Sequence, residues 1–179
     1  NPYLYRAVSQ VLSKDGICDD YETIFGIRTF AFDSAKGFSL NGHPTKIRGV
    51  CNHHDLGCLG TAINIRALER QLEMLKAMGC NGIRTSHNPP APELLDLCDR
   101  MGFIVLDEAF DMWAKKKTDY DYALNWEAWH QRDLEDMVRR DRNHPSVFIW
   151  SIGNEVVEQW DPQDSSGVII TRELAGLVR

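Results

Sequence analysis

Asn154 and Glu155 close an unbroken apolar run, Val147-Phe148-Ile149-Trp150-Ser151-Ile152-Gly153, and an amide beside a carboxylic acid is a pair able to do chemistry. Three other apolar stretches end in the same way. Ile47-Arg48-Gly49-Val50 leads into Asn52, His53, His54 and Asp55; Gly82-Ile83-Arg84 into Ser86, His87 and Asn88; and Phe103-Ile104-Val105-Leu106 into Asp107 and Glu108. Brought to one mouth, these groups supply hydrogen-bond donors and acceptors, and carboxyls whose pKa values can be set apart. Trp150 and Trp160 fall near the same rim, and Trp113 follows the third stretch. Dense polar groups with aromatic rings suit a sugar, whose hydroxyls need many hydrogen bonds and whose C–H faces stack on rings. Cleaving a glycosidic bond takes two carboxyl groups, an acid with a raised pKa and a nucleophile or base. Glu155, at the end of a strand expected to be buried, is the candidate acid/base, and Asn154 can hydrogen-bond a sugar 2-hydroxyl.

Plainer roles are open to several of these residues. Glu155 could cap a following helix or pair with Arg84, and Arg84 itself is favoured as a buried strut holding Asp107 or Glu155. His53 and His54 are adjacent and in a strand point to opposite faces. With no HxH or HExxH spacing, a metal-dependent hydrolase is the weaker alternative. His53 and His87 are better suited to donating to substrate hydroxyls, with His54 packed behind the wall. His144, in an Asn-His-Pro turn, reads as structural, and His130 as unrelated to the site. The basic run Lys115-Lys116-Lys117 reads as a solvated loop.

The groups must be positioned by alternating elements. A continuous apolar run is the mark of a strand covered on both faces in a parallel sheet. Helices are predicted over about Ile65 to Met78 (Leu68, Leu72, Leu75 and Met78 on one face, Gly79 as the stop), from Pro92 to a stop at Gly102 (Leu94, Leu95, Leu97, Cys98), over about Trp126 to Arg142 (Trp129, Leu134, Met137, Val138), and from Val168. Four strand–helix units with polar groups after every strand favour a (β/α)8 barrel over a doubly wound sheet, which concentrates function at one switch point. No glycine-rich phosphate motif follows the first strand. Residues 47–179 are therefore expected to form the first four units of a TIM barrel, a fold that needs about 250 residues. Residues 1–32 read as the last strands of a β-sandwich, and 33–46, with its Asn41-Gly42 pair, as a hairpin linker.

The bulk numbers exclude other classes. A net charge of −6 with no Lys/Arg stripe argues against a nucleic-acid surface, and no run is long and apolar enough to span a membrane. Five cysteines without a CxxC pair make neither a disulfide framework nor a zinc site. The chain opens without an initiator Met and stops within a helical pattern, so it reads as a piece of a longer protein. Compartment and homo-oligomerisation stay open.

The motifs also carry a resemblance. Asp141-Arg142-Asn143-His144-Pro145-Ser146 through Asn154-Glu155 resembles the acid/base signature of glycoside hydrolase family 2, and Asn81-Gly82-Ile83-Arg84-Thr85-Ser86-His87-Asn88-Pro89 resembles its other signature. Arg48-Gly49-Val50-Cys51-Asn52-His53-His54-Asp55 is similar to the family's first barrel strand, and Phe25-Gly26-Ile27-Arg28 to the end of its immunoglobulin-like domain. The resemblance implies a retaining exo-β-glycosidase acting on a terminal β-linked sugar, with Glu155 as acid/base. Asn154, His53, His87 and Asp55 would touch substrate, and Arg84, Asp107, Glu108 and Trp150 would shape the site. The family's nucleophile, a Glu on a later strand, matches no position here. Asn88 stands where the family usually has Tyr, and Met112 and Ala114 stand where some members bind magnesium, so no cofactor is expected. The run Asp107 to Trp113 leans towards β-galactosidase over β-glucuronidase; a sugar-binding module without catalysis is the other reading. Half a barrel would expose strand edges, so the chain alone is expected to be inactive and poorly soluble.

Overall fold

The computed structural model describes residues 2–179. Strands β1 (Tyr5–Ser13) and β2 (Gly16–Phe25) form an antiparallel ribbon with Tyr5 opposite Phe25. The turn between them needs Gly16, whose φ of 119° is open to a residue without Cβ. The β-rich reading of this segment agrees with the ribbon, but neither face is covered within this chain: Val8, Val11, Leu12, Ile17 and Tyr21 all stand exposed.

A second antiparallel sheet, in the order β3-β4-β5, follows from β3 (Phe30–Asp33), β4 (Gly37–Leu40) and β5 (His43–Pro44). Its tight turn places Asn41 and Gly42 at φ 51° and 76°, both positive as a type I′ turn demands. This meander straddles the expected 32/33 boundary, because Phe32 pairs with Phe38 across it. It also has a packing role: the rings of Phe30, Phe32 and Phe38 lie 6.3, 6.4 and 5.5 Å from that of Phe148.

The remaining strands are all parallel: β6 (Gly49–His53), β7 (Gly82–Ser86), β8 (Ile104–Glu108) and β9 (Val147–Ser151). They pair in chain order, β6-β7-β8-β9, with no point where the order reverses. Consecutive parallel neighbours make a barrel wall, whereas a doubly wound sheet must reverse. Helices α1 (Ile65–Ala77), α2 (Pro92–Met101), α3 (Trp126–Asp141) and α4 (Ser166–Val178) connect or follow the strands. Asn64 caps α1 by accepting from the Ala67 amide at 3.0 Å, Pro92 opens α2, and Gly102 ends α2 in the left-handed region.

Two apolar clusters lie between sheet and helices. Leu68, Leu72, Leu94, Leu95, Leu97, Cys98 and Phe103 pack on Ile83, Val105 and Val147, while Phe110, Trp113, Trp126, Leu134, Met137, Val156 and Leu174 form the second. Two predicted core residues are outside them. Met78 is 74% exposed because α1 has already ended and the chain turns at Gly79 (φ 87°). Trp129 is 44% exposed, because the buried stripe of α3 runs through Trp126, His130, Leu134 and Met137 and helical geometry sets position 129 to one side. His130 is thus a core residue, its Nε2 3.0 Å from a Glu173 oxygen.

Register on β9 depends on one extra residue. Val105 pairs with Val147, but Leu106 pairs with Ile149, leaving Phe148 bulged out towards the meander. Beneath this strand, Asp99 accepts from His144 Nδ1 at 2.6 Å and from the Ser146 amide at 2.9 Å, tying α2 to the turn that starts β9. Burial by itself would lower the His144 pKa; the Asp99 hydrogen bond and charge, with Asp141 and Asp96, outweigh it and raise the pKa. A value raised on folding stabilises the fold fully below the unfolded histidine value of about 6.5, and the gain is lost as pH rises through the folded value. Between about pH 6 and 9 the melting temperature should therefore fall more for the wild type than for His144→Gln. Parallel melting curves would show that the pair contributes nothing.

Candidate functional site

Strand alternation decides which side chains reach the inner face. On β8, Val105 belongs to the core beneath the helices, so Leu106 and Glu108 point inward and Asp107 points back to the helix layer. Asp107 is fully buried there beside Asp141 of α3; burial and then the Asp141 charge push its pKa up to about 8. It is not a wall of the mouth, contrary to the expectation that it shapes the site. Trp150 is corrected in the same way: with Phe148 bulged, it faces outward with Val147 and packs against both apolar clusters. Neither does Trp113 offer a ring to the mouth. It is buried, and its indole Nε1 donates to the Ile152 carbonyl at 2.6 Å.

The inner face carries Glu108, Arg84, His87, His53 and Ser151. Glu108 has no exposed surface and collects donors from two neighbouring strands and the end of one of them. Arg84 Nε and Nη2 approach its Oε2 at 2.9 and 2.8 Å, the Ser151 hydroxyl donates to the same oxygen at 2.6 Å, and His87 Nδ1 lies 2.7 Å from Oε1. Arg84 is a strut as expected, but its partners are Glu108 and Asn154, not Asp107 or Glu155: Nη2 donates to Asn154 Oδ1 at 2.7 Å. His53 stands exposed on the end of β6, its ring perpendicular to that of His87 with centroids 5.1 Å apart. His54 turns away, its Nε2 3.2 Å from the Thr61 carbonyl. Asp55 is at the rim, where one carboxylate oxygen accepts from the Gly57 amide and shapes the turn there.

Asn154 is held from both ends of its amide. Oδ1 accepts from Arg84, and Nδ2 donates to Asp111 Oδ1 at 2.9 Å. A side-chain amide has two donor hydrogens and two acceptor sites, so one of each is left for a ligand. Glu155 follows with φ 43°, in the left-handed region that non-glycine residues enter at a cost of about 1–3 kcal/mol. Its side chain is exposed, and no hydrogen bond or ion pair among the described residues reaches its carboxylate. It neither caps the 3-10 turn Val157–Gln159 nor pairs with Arg84. The expected burial of Glu155 is not present in this chain.

Sequence reasoning missed Asp111 and Lys117. Lys117 Nζ donates to Asp111 Oδ1 at 2.8 Å, to the Asp111 carbonyl at 2.7 Å and to the Asn154 carbonyl at 2.8 Å. Its two neighbours in the basic run do face outward, which is why the run looked solvated throughout. Met112 is buried and Ala114 has no ligand atom, so these positions do not fit a magnesium ion, which requires oxygen ligands. Among the described residues, the group of three candidate ligands close enough to share an ion is Asp96, Asp99 and His144, at the other end of the strands.

Two substitutions test this construction. Glu108→Ala leaves Arg84 without its buried partner and should cost about 3–5 kcal/mol, read from denaturant melts. Gly153→Ala would put a Cβ 2.7 Å from the Trp113 Nε1, so the indole must move, its hydrogen bond must weaken and melting temperature must fall. An unchanged melt for either variant contradicts the contacts described.

Residues 33–169 match the family model described as glycosyl hydrolases family 2, TIM barrel domain. The chain is 64% identical over 177 residues to the β-galactosidase BoGH2A of Bacteroides ovatus, covering 99% of this chain and 21% of that protein. It is 35% identical over 154 residues to the β-glucuronidase of Mus musculus, covering 86% of this chain and 23% of that one. The solved structure of a glycosyl hydrolase family 2 member from Bacteroides cellulosilyticus superposes with a TM-score of 0.94 at 49% identity, covering 99% of this chain and 23% of that one. The chain thus spans about a fifth to a quarter of the length of these relatives. With four parallel strands paired in chain order and that match over most of its length, the chain belongs to glycosyl hydrolase family 2 and holds part of its TIM barrel.

Proposed function

We propose that this chain carries the acid/base side of a retaining exo-β-glycosidase centre, with Glu155 as general acid/base and the nucleophilic carboxylate supplied from outside residues 1–179. The observation that carries the reading is an exposed, unpaired Glu155 beside an Asn154 whose amide is fixed by Arg84 and Asp111. A sugar hydroxyl both donates and accepts, which suits the one free N–H and one free lone pair of that amide.

In the first step the Glu155 carboxyl gives its proton to the glycosidic oxygen as the anomeric C–O bond breaks, while the second carboxylate forms the glycosyl ester. In the second step the Glu155 carboxylate takes a proton from water, and that oxygen displaces the ester. Asn154 orients the sugar, and exposed His53 and the outward edge of His87 are placed to meet its hydroxyls. Asp55, committed in part to its own turn, is a rim contact.

A neutral sugar fits these residues better than a uronic acid. Arg84 spends Nε and Nη2 on Glu108 and Asn154, and Lys117 gives three hydrogen bonds within the protein, so the cations at this mouth are already engaged. Together with the 64% identity to a protein named as a β-galactosidase, this favours a terminal β-galactoside. A β-glucuronide is the second reading, supported by the relative of that name at 35% identity.

In the intact protein that carries this chain, Glu155→Gln should lower kcat/KM, which reports the first step, about 10²–10⁴-fold for glycosides with poor leaving groups and far less for activated aryl glycosides. Small and equal losses on both would overturn the acid role. A panel of aryl β-glycosides on the wild type then separates galactoside from glucuronide, and turnover of none would leave a binding module.

A further inference from the structure

We infer that Lys117 is a positioning residue for Glu155, acting through the peptide that joins Asn154 to it. This inference rests on the acid/base reading of Glu155. An ammonium has three hydrogens, and here all three have acceptors within 2.8 Å: the Asp111 carboxylate, the Asp111 carbonyl and the Asn154 carbonyl. The Lys117 side chain is only 18% exposed, unlike those of Lys115 and Lys116. So full a set of acceptors fixes the head group, where a solvated lysine would be mobile.

The Asn154 carbonyl is the lever. A peptide unit is planar, so holding that oxygen also sets the direction of the Glu155 N–H and the axis about which Glu155 adopts its φ of 43°. A residue in that region stays there only where its surroundings determine it. The same ammonium orients Asp111, whose other hydrogen bond holds the Asn154 amide. The amide keeps Arg84 as a second partner, so what depends on Lys117 is the backbone that aims Glu155.

The β8–α3 connection supports this with two further grips on the same segment. Trp113 donates to the Ile152 carbonyl, and the Lys115 amide donates to Glu158 Oε1 at 2.7 Å. These hold the segment on either side of the Asn154–Glu155 peptide, and the Lys117 ammonium holds the peptide itself.

The test is a leaving-group series on the intact protein. Lys117→Met keeps the stem and removes the three donors. It should lower kcat/KM about 100-fold for glycosides whose leaving group needs protonation, the order expected for misplacing a reacting group by about 1 Å. Activated aryl glycosides should keep their kcat/KM, which reports the first step alone, while their kcat falls with the second step, where Glu155 acts as base. In the Glu155→Gln background the same substitution should add nothing, since the group it positions is already gone. Equal losses of kcat/KM on both substrate classes, or losses that multiply in the double variant, would overturn the inference. If Glu155→Gln alone shows no leaving-group dependence, the acid/base reading itself fails, a result distinct from failure of the Lys117 role. Should Lys117→Met not fold, Lys117→Arg keeps the charge but replaces three convergent donors with a planar fork. It should show the same selective loss, and wild-type kinetics or a uniform loss would overturn the inference.

Discussion

A carboxyl group with no exposed surface must find donors inside the protein or give up its charge, as the raised pKa of Asp107 shows. Removing it from water costs several kcal/mol, which only good geometry and several hydrogen bonds offset. Glu108 meets that demand with Arg84 from β7, His87 just beyond it and Ser151 from β9. The need of one buried group thereby ties together the ends of three adjacent strands. Arg84 Nη2, already beside Glu108, has a second hydrogen for Asn154. The arrangement of the exposed groups thus follows from a group with no exposed surface of its own.

The second constraint comes from the connection between β8 and α3, whose one regular piece is the short 3-10 turn Tyr122–Leu124. The segment after β8 supplies Asp111, Trp113, Lys115 and Lys117, each bonded to the chain between Ile152 and Glu158. Most of these contacts go to backbone or to residues beside Glu155. Loops usually present function on a rigid scaffold. Here one loop is part of the scaffold for another, which is why a glutamate can hold a left-handed backbone on an exposed strand end.

Much of this was legible in the residues, and the parts that were not share a physical reason. The four strand–helix units, the Pro92 start and the Gly102 stop, and the Asn41-Gly42 turn all follow from local chemistry, where a residue type and its conformation are tightly linked. The gathering of strand-end groups follows once the strands are parallel neighbours. What failed was facing. The facing of Asp107 is hidden because a strand's parity requires a known starting point, and that of Trp150 because Phe148 shifts this point by one on β9. Trp129 and Met78 failed at the edges of helical stripes. Lys117 failed because a charge run carries no mark of which member turns inward; only the acceptors around it, distant in sequence or on a loop, decide that.

The bulge at Phe148 has a wider meaning for this strand. Side chains along a strand behave like a wave of period two, and an extra residue is a half-period phase step. Downstream of it, Ile149 and Ser151 face in and Trp150 faces out; upstream, Val147 faces out. The identity of residue 148 matters to the meander whose rings it meets, while its exclusion from the ladder keeps Ser151 in the phase that Val147 sets and so delivers it to Glu108. Chains related to this one can vary the side chain there while keeping the mouth. Pairing Phe148 into the ladder, by contrast, would exchange the two faces from Ile149 to Ser151 and turn Ser151 away from Glu108, so what this strand must keep is the bulge whenever the extra residue is present.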